Sequence, residues 1–323
     1  TYAALDNACP HQGGPLGEGS IENGWLRCPW HGWDFHPCTG KSPGGFEDGV
    51  ATHPVEIRDD GVYVGIMETT DRARTVSDVM VETMVKWGVT HVFGMVGHSN
   101  LGLADAIRVQ AEAGTMTYIG IRHEGAAAFA ASAFGKLTGR PAACLSIAGP
   151  GATNLMTGLW DAKVDRAPVL ALTGQVNTQV LGPGAFQELD LAAAFAPVAA
   201  WSQTVLQTSR HAELMSLALK HANQQRDVAH LIFPDEVQIV LSDEASAGPE
   251  GRLTPLDIAP PESSVDHAAE TICNAVRPVI IVGHGARGQM DAVVALAERL
   301  RAPVITTFKG KGLISDHHPL GCG

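Results

Sequence analysis

The residues best equipped for chemistry stand near the start of the chain. Cys9-Pro10-His11 and Cys28-Pro29-Trp30-His31 form a C-x-H pair and a C-x-x-H pair separated by 16 residues. Two soft thiolates and two imidazoles are the ligands of a [2Fe-2S] centre in which two histidines replace two cysteines on one iron. Each pair sits in a tight loop that would offer its cysteine, Cys9 or Cys28, to the inner iron and its histidine, His11 or His31, to the outer one. Gly13, Gly14 and Gly32 let the backbone approach and turn N–H groups toward the sulfurs, and Gly40 to Gly45 would close a third side. The competing chemistry is a structural zinc site, but zinc sites pair Cys with Cys and His with His. Here both pairs are mixed, which points to iron and sulfur.

A second group of residues opens predicted helices. Arg122-His123-Glu124 follows one strand, and Ala148-Gly149-Pro150-Gly151-Ala152-Thr153-Asn154 follows the next. Taken singly, a Glu at a helix start complements the dipole, and Gly-Pro-Gly there is a generic ligand cradle. Val282-Gly283-His284-Gly285-Ala286-Arg287 lies between a strand and a helix, which alone is a weak phosphate-turn signal.

These residues need elements to position them. A length of 323 residues predicts about two domains. A hydrophobic fraction of 45% with 17% charged residues is that of a soluble globular protein. The net charge of −12 has the wrong sign for a nucleic-acid footprint. No run approaches the ~18 apolar residues of a transmembrane helix, and six cysteines are too sparse for a disulfide scaffold. A cytoplasmic protein is expected.

Residues 1–67 lack a helical period and alternate glycine-rich turns with short β-leaning runs, which predicts a small all-β domain. A polar linker is expected over 68–74. From Thr75, a plausible N-cap, Val76, Val79, Met80, Thr83, Met84 and Trp87 fall on one helical face, and Gly88 stops the helix. Strands near 89–93, 117–121, 142–147, 168–173 and 230–233 then alternate with helices near 101–113, 124–138, 153–164 and 211–225. Such βαβ units predict an α/β domain with a doubly wound parallel sheet over 75–240. A Pro/Gly/Ser-rich linker is expected over 241–264. The alternation restarts at 265 with helices 265–276 and 289–300 and strands 278–282 and 303–307. Two strands cannot bury a doubly wound sheet on both faces, so 265–323 is expected to be a partial domain. Truncation is expected at both ends of the chain.

Residues 1 to about 67 resemble the ferredoxin-type Rieske domains of ring-hydroxylating oxygenase systems. High-potential members of that family carry a disulfide between the two loops. Gln12 and Trp30 stand where its cysteines would be, so the resemblance leaves Cys38 a free thiol. Trp33 and Phe35 replace hydroxyl residues that would bond the sulfurs, which implies a low-potential centre. The opening strands of such a domain are missing from the pattern.

From Thr75 to Gly323 the chain resembles thiamine-diphosphate enzymes of the pyruvate oxidase and acetolactate synthase group. The motifs that carry the likeness are the Glu124 and Gly149–Asn154 helix starts, Gly94-Met95-Val96-Gly97 and Phe186-Gln187-Glu188. The resemblance implies that Glu124 bonds N1′ of the aminopyrimidine, with Gly149, Pro150, Gly151 and Asn154 beside it. A desolvated carboxylate can share a proton with that nitrogen, which drives formation of the nucleophilic ylid and makes the cofactor an electron sink. Phe186 and Gln187 match positions near substrate and flavin, although a core Phe and a capping Gln would read the same way. His98 departs from the family, which places Asp, Gly or Ser there. It is either a general acid/base or an ordinary surface histidine.

The Gly283–Arg287 turn and Thr306-Thr307-Phe308-Lys309-Gly310-Lys311 resemble the FAD-binding central domain, implying contacts from Gly283, Gly285, Ala286, Arg287, Thr306 and Lys311. The family's diphosphate and Mg²⁺ site is a Gly-Asp-Gly motif of a further domain, which does not occur in these residues, so half a thiamine site is expected here. The fusion implies oxidative decarboxylation of a pyruvate-like 2-oxo acid, with electrons passed through FAD to the Rieske cluster and on to an external acceptor. The alternatives are an acetolactate-synthase-type carboligase with non-redox FAD, and an electron-transfer or docking module without catalysis. A homo-oligomer, dimer or tetramer, is implied because relatives build the thiamine site between subunits.

Overall fold

The computed structural model describes residues 2–10, 14–44, 48–65, 72–254 and 258–323. His11, Gln12, Gly13 and Gly45 of the first motif, and residues 66–71, which include 68–71 of the first expected linker, lie outside that description.

The first described segment is all-β: β1 (Ala4–Leu5), β2 (Ser20–Glu22), β3 (Trp25–Arg27), β4 (Asp34–Phe35), β5 (Thr52–His53), β6 (Val55–Arg58) and β7 (Gly61–Val64). β2-β3-β4 form an antiparallel sheet, β1 pairs with β5, and β6 pairs with β7. Asn23 and Gly24 take φ of 51° and 85° between β2 and β3, the two left-handed residues that a tight hairpin requires. The core here is slight. Its buried apolar side chains are Cys9, Leu16, Cys28, Phe35 and Val50. A domain with so little to bury needs a cross-link, and metal coordinated by two of its own core residues would supply one.

The α/β domain runs α1 (Val76–Lys86), β8 (His91–Gly94), α2 (Leu101–Glu112), β9 (Thr117–Gly120), α3 (Glu124–Thr138), β10 (Ala142–Ser146), α4 (Pro150–Asn154), α5 (Met156–Val164), β11 (Val169–Gln175), α6 (Leu191–Phe195), β12 (Trp201–Thr204), α7 (His211–Gln225), β13 (Val228–Pro234) and α8 (Asp235–Gln238). Thr75 caps α1 in a reciprocal box with Asp78. The six strands are all parallel in the order β12-β13-β11-β10-β8-β9. β10, β11 and β13 are buried along their whole length, as befits strands covered on both faces. One face packs on α1, α2 and α7 through Met80, Met84, Leu103, Ile107 and Leu219. The other packs on α3, α5 and α6 through Ala128, Ala131, Leu159 and Phe195.

The chain leaves β8 for the edge strand β9 and returns on the far side of β8 as β10. The strand order therefore reverses between β8 and β10, and the loops after their carboxyl ends bound the crevice where open α/β sheets bind ligands. The sequence pattern missed β12 and α6. β12 is a half-exposed edge strand without apolar alternation, and α6 has only five residues.

The polar stretch after residue 240 is held down over its first part. Thr75 bridges Leu241, Arg74 bonds the Ser242 and Glu244 carbonyls, and the Glu244 carboxylate accepts from the backbone N–H groups of His211 and Ala212 at the start of α7. The chain divides into compact units after Leu253. The second unit holds α9 (Glu262–Cys273), β14 (Ile280–Val282), α10 (Met290–Leu300) and β15 (Val304–Thr306), with β14 and β15 parallel. Its core is Val282, Ala297, Val304 and Ile314.

Candidate functional site

Two loops of the all-β segment are built alike. The Cys9 N–H donates to Gly14 O at 2.9 Å, and the Cys28 N–H donates to Trp33 O at 2.8 Å. Each bond closes a six-residue loop on its cysteine. Both cysteines are 2% exposed, and a Cβ on Gly14 would lie 2.6 Å from Cys28 Sγ. Glycine there lets the first loop's backbone close over the second loop's sulfur, a cradle suited to sulfur-rich coordination. His31 is exposed and packs edge-on against Trp30 at 6.5 Å between ring centroids. Cys38 is exposed on the turn after β4, where its N–H donates to His36 Nδ1. With His11 outside the description, three of the four expected ligands are placed.

The second group meets at the switch point. Glu124 is the first residue of α3, its side chain 6% exposed. Asn154 Nδ2, at the end of α4, donates to Glu124 Oε2 at 3.0 Å. On the other side, a Cβ on Gly151 would come within 3.0 Å of Glu124 Oε1 and 2.5 Å of Ile147 Cγ1. The expected carboxylate thus has one oxygen bonded and the other over a position that tolerates no side chain. Gly149, with φ 59°, is held between strand and helix because Gln187 crosses it: a Cβ there would lie 2.7 Å from Gln187 O. Gln187 is itself left-handed at φ 66°, a strained state for a residue other than glycine, of the kind that gathers at functional sites.

Phe186 is 88% exposed; it is no core residue. Phe186 and Gln187 line a cavity of about 380 Å³ with His98, Ser99, Val176, Asn177 and Asp235. The loop that carries them is fastened by Glu188. Its carboxylate accepts from the N–H groups of Gly182 (2.6 Å), Gly184 (2.9 Å) and Ala185 (2.8 Å), bonds led by the one from Gly182 that hold it below the usual carboxylate range.

His98 begins the turn after β8, with its side chain exposed. Its neighbours, unremarked in the sequence, do the anchoring. Asn100 accepts from Gly97 N–H and donates to Met95 O. Ser99 Oγ accepts from Ala148 N–H at 2.8 Å, tying the β8 and β10 loops together, and the buried Gln238 amide donates to Ser99 O. Ser99-Asn100, two residues after Gly97, is of a type that favours turns; the contact with residue 238 leaves no local signal.

In the second unit, Gly283 starts a 3-10 turn after β14, and Thr307 N–H donates to Val282 O at 2.9 Å. The Gly283–Arg287 turn and the Thr306–Lys311 stretch therefore lie side by side at the carboxyl ends of β14 and β15. Thr306 Oγ1 donates to Gly323 O, and Lys311 pairs with Asp316 at 2.7 Å.

Residues 1–47 match the family model of the Rieske [2Fe-2S] domain, 74–194 that of the thiamine pyrophosphate enzyme N-terminal TPP binding domain, and 265–323 that of its central domain. Fold and motifs define the class: the chain joins a Rieske domain to the N-terminal TPP binding domain and part of the central domain of thiamine pyrophosphate enzymes. It is 36% identical over 251 residues to the acetolactate synthase of Arthrospira platensis, covering 76% of this chain and 43% of that one. It is 33% identical over 246 residues to the pyruvate oxidase of Lactiplantibacillus plantarum, covering 76% and 40%, and 35% identical over 251 residues to YdaP of Bacillus subtilis, covering 76% and 42%. The chain thus spans about two fifths of the length of these relatives. Among the described residues no helix is long and apolar enough to cross a membrane.

Proposed function

We propose that the whole protein oxidatively decarboxylates a pyruvate-like 2-oxo acid and delivers the electrons through FAD to its own Rieske cluster and then to an external acceptor. The observation that carries this reading is the Rieske domain on the same chain as the thiamine enzyme domains. A one-electron carrier has a use only where the chemistry releases electrons. When bound, thiamine pyrophosphate supplies the electron sink for decarboxylation, FAD takes two electrons together, and the cluster passes them on singly.

The chain's own residues have separate tasks. Glu124, with Oε2 bonded to Asn154, exchanges a proton at Oε1, on the Gly151 side. His98 exchanges a proton with the substrate in the cavity it shares with Phe186 and Gln187; an imidazole suits that task near neutral pH. Phe186 supplies an apolar wall against water, and the Gln187 amide orients polar substrate atoms. Cys9, His11, Cys28 and His31 hold the cluster. Gly283, Gly285, Ala286, Arg287 and Thr306 border the flavin, with Lys311 available to it on release from Asp316. Mg²⁺ with the diphosphate belongs to the family's Gly-Asp-Gly domain, and the subunits assemble as a homo-oligomer.

A second reading is kept by the likeness to acetolactate synthases: carboligation, with FAD not reduced. Anaerobic mixing of the holoenzyme with pyruvate separates the two. Oxidation bleaches the flavin and then the Rieske absorbance, whereas carboligation accumulates acetolactate with both still oxidised. Glu124→Gln abolishes either reaction and leaves the Rieske spectrum intact.

A further inference from the structure

Two acids that no motif singled out border a second cavity beside the first, and one of them, Asp235, lines both. β13 ends at Pro234, and α8 opens with Asp235 and Glu236. Glu236 Oε1 accepts from the Thr178 N–H at 3.1 Å and from its hydroxyl. Its other oxygen, Oε2, and Asp235 Oδ1 are both buried, and neither has a donor among the described residues. The two carboxyl groups instead contact each other. Two ionised carboxylates cannot satisfy that contact, because neither carries a hydrogen. A single proton between them satisfies both oxygens and removes the repulsion.

The surroundings agree. Burial, and then Glu236 alongside, hold the Asp235 carboxyl above the usual range, while His98 across the cavity acts the opposite way. The remaining neighbours do not compete. Leu101, Gly102, Asn177 and Gln238 around the pair do not titrate; on the helices that pack on α8, Asp78 and Glu82 of α1 pair with Arg72 and Arg74, and Asp105 and Glu112 of α2 pair with Arg72 and Arg108. His98, Asn177 and Asp235 line both the 380 Å³ cavity and a second one of about 270 Å³ that Glu236 also borders. His98 and Asp235 therefore stand where the two spaces share a wall.

We propose that Asp235 and Glu236 share one proton at neutral pH and act as positioning residues for His98, resupplying its proton from the second cavity. When His98 gives a proton to the substrate, the pair's proton moves to His98. The pair is then a dianion until water in the second cavity reprotonates it, so one proton enters for each that leaves. This role rests on His98 acting as proposed above, but the shared proton does not.

The test has two arms that fail separately. Infrared spectra of the full chain at pH 7 should show the carbonyl stretch of an un-ionised carboxylic acid, lost in both Asp235→Asn and Glu236→Gln, where an amide N–H takes the place of the proton. No such band, or a band that survives either substitution, overturns the shared proton. In the holoenzyme, Asp235→Asn should lower kcat for the 2-oxo acid about tenfold, short of the 10²–10⁴-fold of a direct acid–base group, and shift its pH profile with KM unchanged. Unaltered kcat and pH profile overturn the relay. Absence of 2-oxo acid turnover in the wild type counts against the proposed function instead, and leaves the infrared result standing.

Discussion

Acid should destabilise the α/β domain through one buried imidazole. His230 lies fully buried in β13, with Nε2 bonded to the Thr173 hydroxyl at 2.9 Å and Nδ1 to the Ser202 hydroxyl at 2.8 Å. Its ring stacks on Phe195 at 4.0 Å. Desolvation pushes its pKa down from 6.5 to about 3. The unfolded chain takes up a proton below about pH 6.5 that the folded one refuses, so stability is present above that pH and falls as pH drops toward 3. At about 1.36 kcal/mol per pH unit the full loss is about 5 kcal/mol, of which about 2 kcal/mol has gone by pH 5. Asp78 and Glu82 are also held below the usual range, Asp78 by Arg72 and Thr75 against the effect of burial and Glu82 by Arg74, and they add a loss of the same sign. A variant is therefore needed as reference. In His230→Leu, the buried Thr173 hydroxyl loses a partner, at about 1–3 kcal/mol, and the half-buried Ser202 hydroxyl loses one at less cost, but the imidazole's pH dependence disappears. Urea unfolding of both proteins, followed by far-ultraviolet circular dichroism, should show the stability gap narrowing by about 2 kcal/mol between pH 8 and pH 5. A gap that stays constant over that range would refute the reasoning.

Two further substitutions test the sites. Gly151→Ala places a methyl group 2.5 Å from Ile147 and 3.0 Å from the Glu124 carboxylate; it should cost about 1–3 kcal/mol by overpacking and weaken thiamine pyrophosphate binding to the holoenzyme, measured by calorimetric titration. Cys28→Ser should abolish the Rieske electron paramagnetic resonance signal, whereas Cys38→Ser should keep it, since Cys38 lies on the exposed turn after β4.

What the sequence made legible is local. The capping box at Thr75 and Asp78 needs three residues, the helices need a 3.6-residue period, and the paired cysteine loops announce themselves within six residues each. What it hid is long-range. The Glu188 carboxylate could have been read as a polar loop residue, yet it gathers three N–H groups and thereby sets where Phe186 and Gln187 stand. Ser99 meets residues 49 and 139 positions away, and no periodicity records such a pairing.

The same distinction explains the two sides of the crevice at the switch point. Glu124 and Gly149–Asn154 were readable because each opens a helix after a strand, and their meeting follows from the reversal of strand order between β8 and β10. His98 was ambiguous because its residue type fits a surface as well as a site. Its meaning depends on what faces it, and that is α8, reached only after β13 has inserted between β11 and β12. Pro234 ends β13 just where Asp235 and Glu236 must turn over the sheet edge toward His98. The chemistry proposed for residues 98, 187 and 235 therefore needs the sheet complete, because the three lie on loops that only β8, β11 and β13 together bring to one cavity.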